Sequence, residues 1–175
     1  MLGKRNIYLI GPMGTGKTAV GKQLGRLLGV PFIDSDAEIE RVAGVDIPFI
    51  FEREGEAGFR QRECEALAAL CQREPIVLAT GGGAILAPQN RKLLQETGTV
   101  VYLHTSLAQQ LQRVGKGRGR PLLRGVDLPR RLAELREARE PLYREIADIT
   151  LATDNRRVGK VAELALKELG RGATA

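Results

Sequence analysis

Five short apolar runs alternate along the chain with longer segments in which apolar residues recur at helical spacing. The runs have the length of strands and occupy residues 7–10, 30–33, 76–79, 100–103 and 149–152. Apolar strands that alternate with helices are typical of a parallel sheet with helices packed on its faces. The pattern therefore predicts an α/β fold, a three-layer sandwich around a five-stranded parallel sheet.

Four of the intervening segments are predicted to be helices. One stripe of apolar residues ends at Gly29 and consists of Val20, Leu24, Leu27 and Leu28. A second stripe consists of Val158, Val161, Ala162, Ala165 and Leu169. Both stripes are expected to face the sheet. The other two predicted helices span residues 107–114 and 129–143, and the second has Pro129 in its first turn. Between them lies a glycine-rich basic segment that is expected to move.

Length and cysteine content limit the class of protein. A chain of 175 residues with 43% hydrophobic residues can fill one core, so residues 1–175 are expected to form a single domain. Cys64 and Cys71 share a predicted helix, which indicates buried thiols rather than a disulfide framework or a zinc site. With a single histidine, His104, and no long apolar stretch near the amino end, we expect a cytoplasmic protein without a multi-histidine metal site or a membrane span.

Positive charge is concentrated in one segment. The formal net charge is +6, residues 97–126 contain no acidic residue, and five basic residues lie in the second half of that stretch: Arg113, Lys116, Arg118, Arg120 and Arg124. A basic glycine-rich segment suits either a flexible nucleic-acid contact or a lid that closes over phosphates. The aromatic content of 4% disfavours the base-stacking surfaces of single-strand binders, so the lid is the favoured interpretation.

Residues 11–18, with the sequence GPMGTGKT, match the phosphate-binding pattern GxxxxGK(S/T). The match lies directly after an apolar run and directly before a helical stripe, which is the context that the motif requires. Its glycines let backbone N–H groups point at phosphate oxygens, and the helix N-terminus adds its positive dipole end. Lys17 is expected to reach the β- and γ-phosphates, and Thr18 to bind Mg²⁺. The predicted ATP-binding residues here are Gly14, Thr15, Gly16, Lys17, Thr18 and Ala19.

Two aspartates follow the second apolar run. Phe32-Ile33 precedes Asp34-Ser35-Asp36, whereas the third run ends without an acidic residue. Because alternate residues of a strand share a side, Asp34 and Asp36 would lie together if the strand continued. One carboxylate could then hold magnesium while the other faces an acceptor hydroxyl as a base or an orienting group. The alternative is that both cap a helix that begins near Glu38.

Three glycines and two arginines are further candidates for ligand binding. Gly81-Gly82-Gly83 follows the third apolar run and would let a ligand approach the backbone closely. Arg60 shares a helical stripe with Leu67 and Cys71, so it is expected to point to the buried side, where an arginine needs an anion. Arg139 has several arginine neighbours that resemble an ordinary solvated helix face, so its local pattern alone predicts a surface residue.

Taken together, these segments resemble those of the shikimate kinases. The strings GPMGTGKT, FIDSD, Gly58-Phe59-Arg60, ATGGG, GRPLL and REPLY at residues 139–143 occur in the order typical of that family, and the resemblance spans nearly the whole chain. It implies a P-loop fold of the nucleoside monophosphate kinase type. It also implies a mobile lid at about residues 113–127, a substrate-binding helical segment at about residues 34–62, and a monomeric enzyme.

The resemblance further implies transfer of the γ-phosphate of ATP to the 3-hydroxyl of shikimate, with Mg²⁺ as cofactor and with neither nucleic acid nor a membrane as partner. Shikimate binding is assigned to Asp36, Arg60, Gly81, Gly82, Gly83 and Arg139, which overturns the surface interpretation of Arg139. Magnesium binding is assigned to Thr18 and Asp34. Arg120 would reach the phosphates from the lid, and Arg156 would lie near the adenine. Lys17, Asp36 and Arg120 are the expected catalytic residues.

Three other functions are compatible with parts of this pattern. A nucleoside monophosphate kinase shares the fold, but paired arginines with Asp36 suit a carboxylate and hydroxyls better than a phosphate and a base. A gluconate kinase is the nearer alternative, because its acceptor also carries a carboxylate and hydroxyls. A nucleic-acid motor is disfavoured, because no Asp-Glu pair follows residues 76–79.

Overall fold

A single five-stranded parallel sheet organises the chain. A computed structural model describes residues 6–115, 125 and 127–172. Its strands are β1 Asn6–Ile10, β2 Phe32–Asp34, β3 Val77–Ala79, β4 Gly98–His104 and β5 Ile149–Ala152. Their order across the sheet is β2-β3-β1-β4-β5, and every neighbouring pair is parallel. The predicted fold class and all five predicted strands are confirmed, with small shifts at several strand ends.

Helices follow the strands in alternation. Within the described residues they are α1 Lys17–Leu28, α2 Ser35–Ala43, α3 Ile47–Leu70, α4 Pro88–Thr97, α5 Leu107–Val114, α6 Leu128–Ile146 and α7 Val158–Gly172, together with a 3-10 turn at Ala84–Leu86. The predicted helix at residues 107–114 is confirmed with the same bounds, and the one at residues 129–143 lies within α6. Gly29 ends α1 in the left-handed conformation, with φ 67°.

The strands bury both of their faces, which is why they are almost wholly apolar. Tyr8 and Ile10 of β1 lie in a core with α3, α4 and α6, whereas Ile7 and Leu9 lie in a second core with α1 and α7. The sheet is therefore the middle layer of a three-layer sandwich, as predicted.

Three residues depart from the predicted burial. Leu27, at the edge of its helical stripe, is 46% exposed, and Val158, the first residue of α7, is 41% exposed. Of the two free cysteines, Cys71 is buried as predicted, whereas Cys64 is only half-buried, beside the amide of Gln89.

The parallel arrangement brings the loops that carry the predicted site to one edge of the sheet. The carboxyl ends of β1, β2 and β3 lead into the P-loop, into α2 and into the three glycines, respectively. A small separate core of Ile39, Ile50 and Phe59 holds α2 against α3. Helix α3 is kinked at Gly55, where φ is 70°, a conformation that favours glycine. Most of the predicted lid, including Arg120, lies outside the described residues.

Candidate active site

The P-loop joins the buried strand β1 to the N-terminus of α1. Gly14 and Gly16 adopt φ values of 80° and 88°, which residues with a Cβ rarely adopt. Gly11 has φ 143°, and a Cβ on it would lie 2.2 Å from the carbonyl oxygen of Leu103 in β4. The Lys17 ammonium donates to the carbonyl oxygens of Gly11 and Pro12, at 2.7 and 2.9 Å. The loop therefore curls around the lysine that the motif places at the phosphates.

Thr18 and Asp34 meet across the start of the site. The Thr18 hydroxyl donates to Asp34 Oδ2 at 2.7 Å, and Asp34 Oδ1 accepts the backbone N–H of Asp36 at 3.0 Å. Strand β2 ends at Asp34, which caps α2, so the strand does not continue to Asp36. The capping alternative is thus correct for Asp34, although the capped helix begins at Ser35 rather than near Glu38.

These two oxygen-bearing side chains fit a magnesium ion. Mg²⁺ prefers hard oxygen ligands and commonly takes one or two of them from the protein and the rest from phosphates and water. No cluster of three or more His, Cys, Asp or Glu side chains within the described residues could hold a metal by itself. Thr18 and Asp34 therefore suit a metal ion whose remaining ligands come from a bound nucleotide and water.

Asp36 lies in the first turn of α2 and faces the interior of the site. Its Oδ1 is buried and has no hydrogen-bond partner. The pKa of Asp36 is raised from 3.8 to about 6, chiefly by burial and also by the nearby Asp34 and Glu63 carboxylates, while Lys17 and Arg60 partly offset the rise. An enclosed carboxylate with a free acceptor oxygen is suited to bind a hydroxyl group.

The three glycines leave room for charged side chains rather than for a bend in the backbone. A Cβ on Gly81 would lie 2.8 Å from Asp36 Oδ1 and 2.9 Å from Glu63 Oε1, and a Cβ on Gly83 would lie 2.3 Å from Arg60 Nη2. None of the three has a positive φ. A Cβ on Gly81 or Gly83 would therefore displace an acidic or guanidinium group of the site, whereas one on Gly82 would make only ordinary contacts.

Arg60 is held in a buried ion pair. Its Nη1 lies 2.8 Å from Glu63 Oε2, and its Nη2 lies 3.3 Å from Glu56 Oε1. Burial lowers the pKa of Arg60, but the two carboxylates more than compensate, so the guanidinium stays charged. Burial raises the pKa of Glu63, although Arg60 opposes this, and Glu63 Oε1 is buried without a hydrogen-bond partner. The prediction that Arg60 points to the buried side is confirmed.

Arg139 is buried in α6, so the surface prediction from its local pattern is wrong. Only 5% of the residue is exposed. Burial lowers its pKa, which Tyr143 opposes and Arg60 reinforces. Its Nη1 lies 3.6 Å from the position that a Cβ on Gly82 would take. No ion pair joins Arg139 to a carboxylate among the residues that the structure describes, so this buried guanidinium is suited to receive an anion.

One cavity of about 490 Å³ collects most of the predicted residues. Its lining includes Gly14, Gly16, Lys17, Thr18 and Ala19 of the phosphate loop and its helix, the aspartates Asp34 and Asp36, and Arg60, Gly81, Gly82, Gly83 and Arg139. It also includes Glu63, which the sequence analysis missed because an acidic residue on a helix with many charges carries no distinguishing pattern. Two cationic side chains and two strand-end carboxylates thus share a cavity with the P-loop.

A second cavity, of about 320 Å³, lies on the other side of the P-loop. Gly14, Thr15 and Gly16 line it together with Arg113, Thr153 and Arg156. The guanidinium of Arg156 donates to the carbonyl of Ala152 at 3.1 Å. Arg156 and Arg113 therefore line a cavity beside the phosphate loop. The expected place of Arg156 near the adenine stays a prediction.

Comparisons with known proteins show the family of the chain. The shikimate kinase family model matches residues 13–170. The shikimate kinase of Thioalkalivibrio sulfidiphilus is 56% identical over 158 residues, which are 90% of this chain and 83% of that protein. The chain belongs to the shikimate kinase family. Like the other members of that family, it is an ATP-dependent kinase.

Solved structures of other proteins show the same fold. A shikimate kinase from Acinetobacter baumannii in complex with shikimate superposes with a TM-score of 0.95 at 48% identity, covering 97% of this chain and 95% of that one. A gluconokinase from Sinorhizobium meliloti has a TM-score of 0.62 at 19% identity over 98% of this chain and 94% of that one, which shows a common fold only. No helix in the described part of the chain is long and apolar enough to cross a membrane.

Proposed function

We propose that this shikimate kinase transfers the γ-phosphate of ATP to the 3-hydroxyl of shikimate in a magnesium-dependent reaction. The observation that carries the proposal is the 490 Å³ cavity, in which the P-loop shares the lining with half-buried Arg60, buried Arg139 and the free acceptor oxygen of Asp36. An anionic acceptor with hydroxyl groups matches this set of partners. The A. baumannii relative, whose structure contains shikimate, supports the same acceptor.

On the nucleotide side, the chain's own groups bind and neutralise phosphates. Backbone N–H groups of residues 14–19 and the N-terminus of α1 cradle the phosphate chain, and Lys17 turns its ammonium to the β- and γ-phosphates. Thr18 and Asp34, whose Oγ1 and Oδ2 atoms lie 2.7 Å apart, would hold the magnesium ion. When bound, that ion neutralises charge on the transferred group. Arg156 lies near the adenine, in the second cavity.

On the acceptor side, Arg60 and Arg139 bind the carboxylate, and the backbone of Gly81, Gly82 and Gly83 contacts the ring at short range. Charge-assisted hydrogen bonds from two arginines fix both the position and the orientation of a planar carboxylate. Asp36 accepts a hydrogen bond from the reacting hydroxyl and aims it at the γ-phosphate. Alignment of this kind is the main demand of phosphoryl transfer.

Asp36 is also the group that receives the proton lost by the hydroxyl. A pKa of about 6 leaves Asp36 mostly ionised at neutral pH and close to the range of an efficient base. Because the transition state is loose, orientation contributes more to the rate than proton removal does. Arg120 of the lid supplies positive charge to the moving phosphoryl group. We further propose that the enzyme is a cytoplasmic monomer.

A coupled ADP-release assay tests the proposal. Shikimate, gluconate and several nucleoside monophosphates are offered separately with ATP and Mg²⁺, and saturable ADP release is expected with shikimate alone. EDTA should abolish it. Arg60→Ala should remove most of the response at low shikimate concentration, whereas Arg171→Ala, on the exposed end of α7, serves as the control. Saturable ADP release with gluconate instead of shikimate would refute the proposal and identify gluconate as the acceptor.

A further inference from the structure

One face of helix α5 contacts both loops that surround the nucleotide side of the site. Ser106, Gln109, Gln110 and Arg113 have the spacing i, i+3, i+4 and i+7, so they lie on one face of the helix. The helix ends at Val114, within the first residues of the predicted lid. This polar face is therefore placed between the P-loop, the loop after β5 and the start of the lid.

The contacts with the loop after β5 use three of these residues. The N–H of Ser106 donates to Asp154 Oδ1 at 2.9 Å. The Gln109 amide contacts Asn155, a residue with positive φ, by donating to its side chain and accepting its backbone N–H. Arg113 donates to the carbonyl of Thr153 at 3.2 Å. These contacts fix α5 relative to the sheet.

The contacts with the P-loop go to two consecutive carbonyl groups. Gln110 Nε2 donates to the carbonyl oxygen of Met13 at 2.9 Å, and Arg113 Nη1 donates to that of Gly14 at 3.0 Å. In a trans peptide the C=O and the following N–H point in opposite directions. By holding both carbonyls toward α5, the helix turns the N–H groups of Gly14 and Thr15 away from itself.

The packing at this point leaves little freedom. A Cβ on Gly14 would lie 3.0 Å from a methyl group of Val114 and 3.6 Å from Cγ of Gln110. Gln110 is only 2% exposed, and its Oε1 is buried without a hydrogen-bond partner. Burying an amide with an unsatisfied oxygen costs stability, and an apolar residue would avoid that cost. The main favourable contribution of the amide at position 110 is therefore its hydrogen bond to the carbonyl oxygen of Met13.

We propose that Gln110 is a positioning residue that sets the orientation of the phosphate-binding N–H groups of the P-loop. Its amide fixes the peptide between Met13 and Gly14, so that the N–H of Gly14 is presented to the nucleotide's phosphates before the nucleotide arrives. Preorganised N–H donors lose less entropy on binding than donors that must first rotate. The inference rests on the proposed use of this loop for ATP.

Calorimetric titration of Gln110→Met with ADP and with shikimate tests this role. Methionine keeps the length and packing of the side chain but cannot donate to Met13. We expect the Kd for ADP to rise about tenfold, the effect of weakening one hydrogen bond to a charged phosphate, and the Kd for shikimate to stay within about twofold. The melting temperature should change little, because the variant also removes an unsatisfied oxygen. Gln112→Met is the matched control, since Gln112 lies on the exposed face of α5.

An unchanged ADP affinity in folded Gln110→Met would overturn the proposal, as would a parallel loss of ADP affinity, shikimate affinity and melting temperature. If Gln110→Met does not fold, the nearly isosteric Gln110→Glu, which also lacks the amide donor, takes its place under the same criteria. The unaltered protein is titrated alongside. Its failure to bind either ligand would refute the proposed function, whereas normal binding by both proteins would refute only the role of Gln110.

Discussion

Replacement of Asp36 by asparagine is expected to stabilise the protein while it disables phosphoryl transfer. Asp36 is enclosed by the site, and its buried Oδ1 has no hydrogen-bond partner. Burial, together with the Asp34 and Glu63 carboxylates and against the opposition of Lys17 and Arg60, raises its pKa from 3.8 to about 6. At neutral pH the native protein therefore holds an ionised carboxylate in surroundings that disfavour its charge, and this lowers the free energy of unfolding.

The size of the effect follows from the two pKa values. The unfolded chain releases this proton near pH 3.8 and the native protein near pH 6, a difference of about 2 pKa units that is worth about 3 kcal/mol. Between these values the native state binds more protons, so its stability falls as the pH rises. Asparagine removes the charge with little change of shape. It should raise the free energy of unfolding by about 2–3 kcal/mol at pH 7.5 and by only about 0.5 kcal/mol at pH 4.

Thermal unfolding at both pH values measures the difference. For a domain of this size, the gain at pH 7.5 corresponds to a rise of roughly 5–10 °C in Tm. Asp46→Asn is the control, because Asp46 caps α3 by accepting the N–H of Phe49 and asparagine caps equally well. An unchanged or lower Tm at pH 7.5, or equal gains at the two pH values, would refute the electrostatic reasoning. In the ADP-release assay the kcat of Asp36→Asn should fall at least about 100-fold.

Three further substitutions test other parts of the site. Gly83→Ala places a methyl group 2.3 Å from Nη2 of Arg60, so the KM for shikimate should rise about tenfold or more while Tm changes little; Gly170→Ala, with nothing within 4 Å, is its control. Arg139→Ala should weaken shikimate binding by about 1.5–3 kcal/mol in a titration and leave ADP binding intact. Unchanged shikimate affinity would remove Arg139 from the site. Arg120→Ala should lower kcat by about 10³-fold, and a loss of less than about tenfold would contradict its role at the phosphates.

The strands and the P-loop were predictable because their patterns are contiguous. A buried parallel strand is apolar at successive positions, and the phosphate loop carries its glycines, lysine and threonine within eight residues. Asp34 and Asp36 were recognised together for the same reason. Their spacing alone did not distinguish them, because only the end of β2 shows that Asp34 caps α2 while Asp36 lies in the first turn of that helix; both line the cavity.

Arg139 and Gln110 mark the limit of reasoning from local pattern. Arg139 has arginines around it in the sequence, and nothing there distinguishes it from a solvated helix face. It is buried because α6 packs beside the glycines that follow β3, more than fifty residues earlier in the chain. Gln110 likewise acquires its contact with Met13 only when β1 and β4 become neighbours in the sheet.

The amino-acid sequence by itself determined the parallel sheet, the place of the phosphates and the residue types that could meet them, because hydrophobic periodicity and a contiguous loop motif are local properties of the chain. The tertiary structure decided which charges are buried and which atoms lack partners. Burial and unsatisfied hydrogen bonds depend on neighbours that are distant in sequence. The raised pKa of Asp36, the close fit of Arg60 against Gly83 and the hold of α5 on the P-loop all belong to this second class.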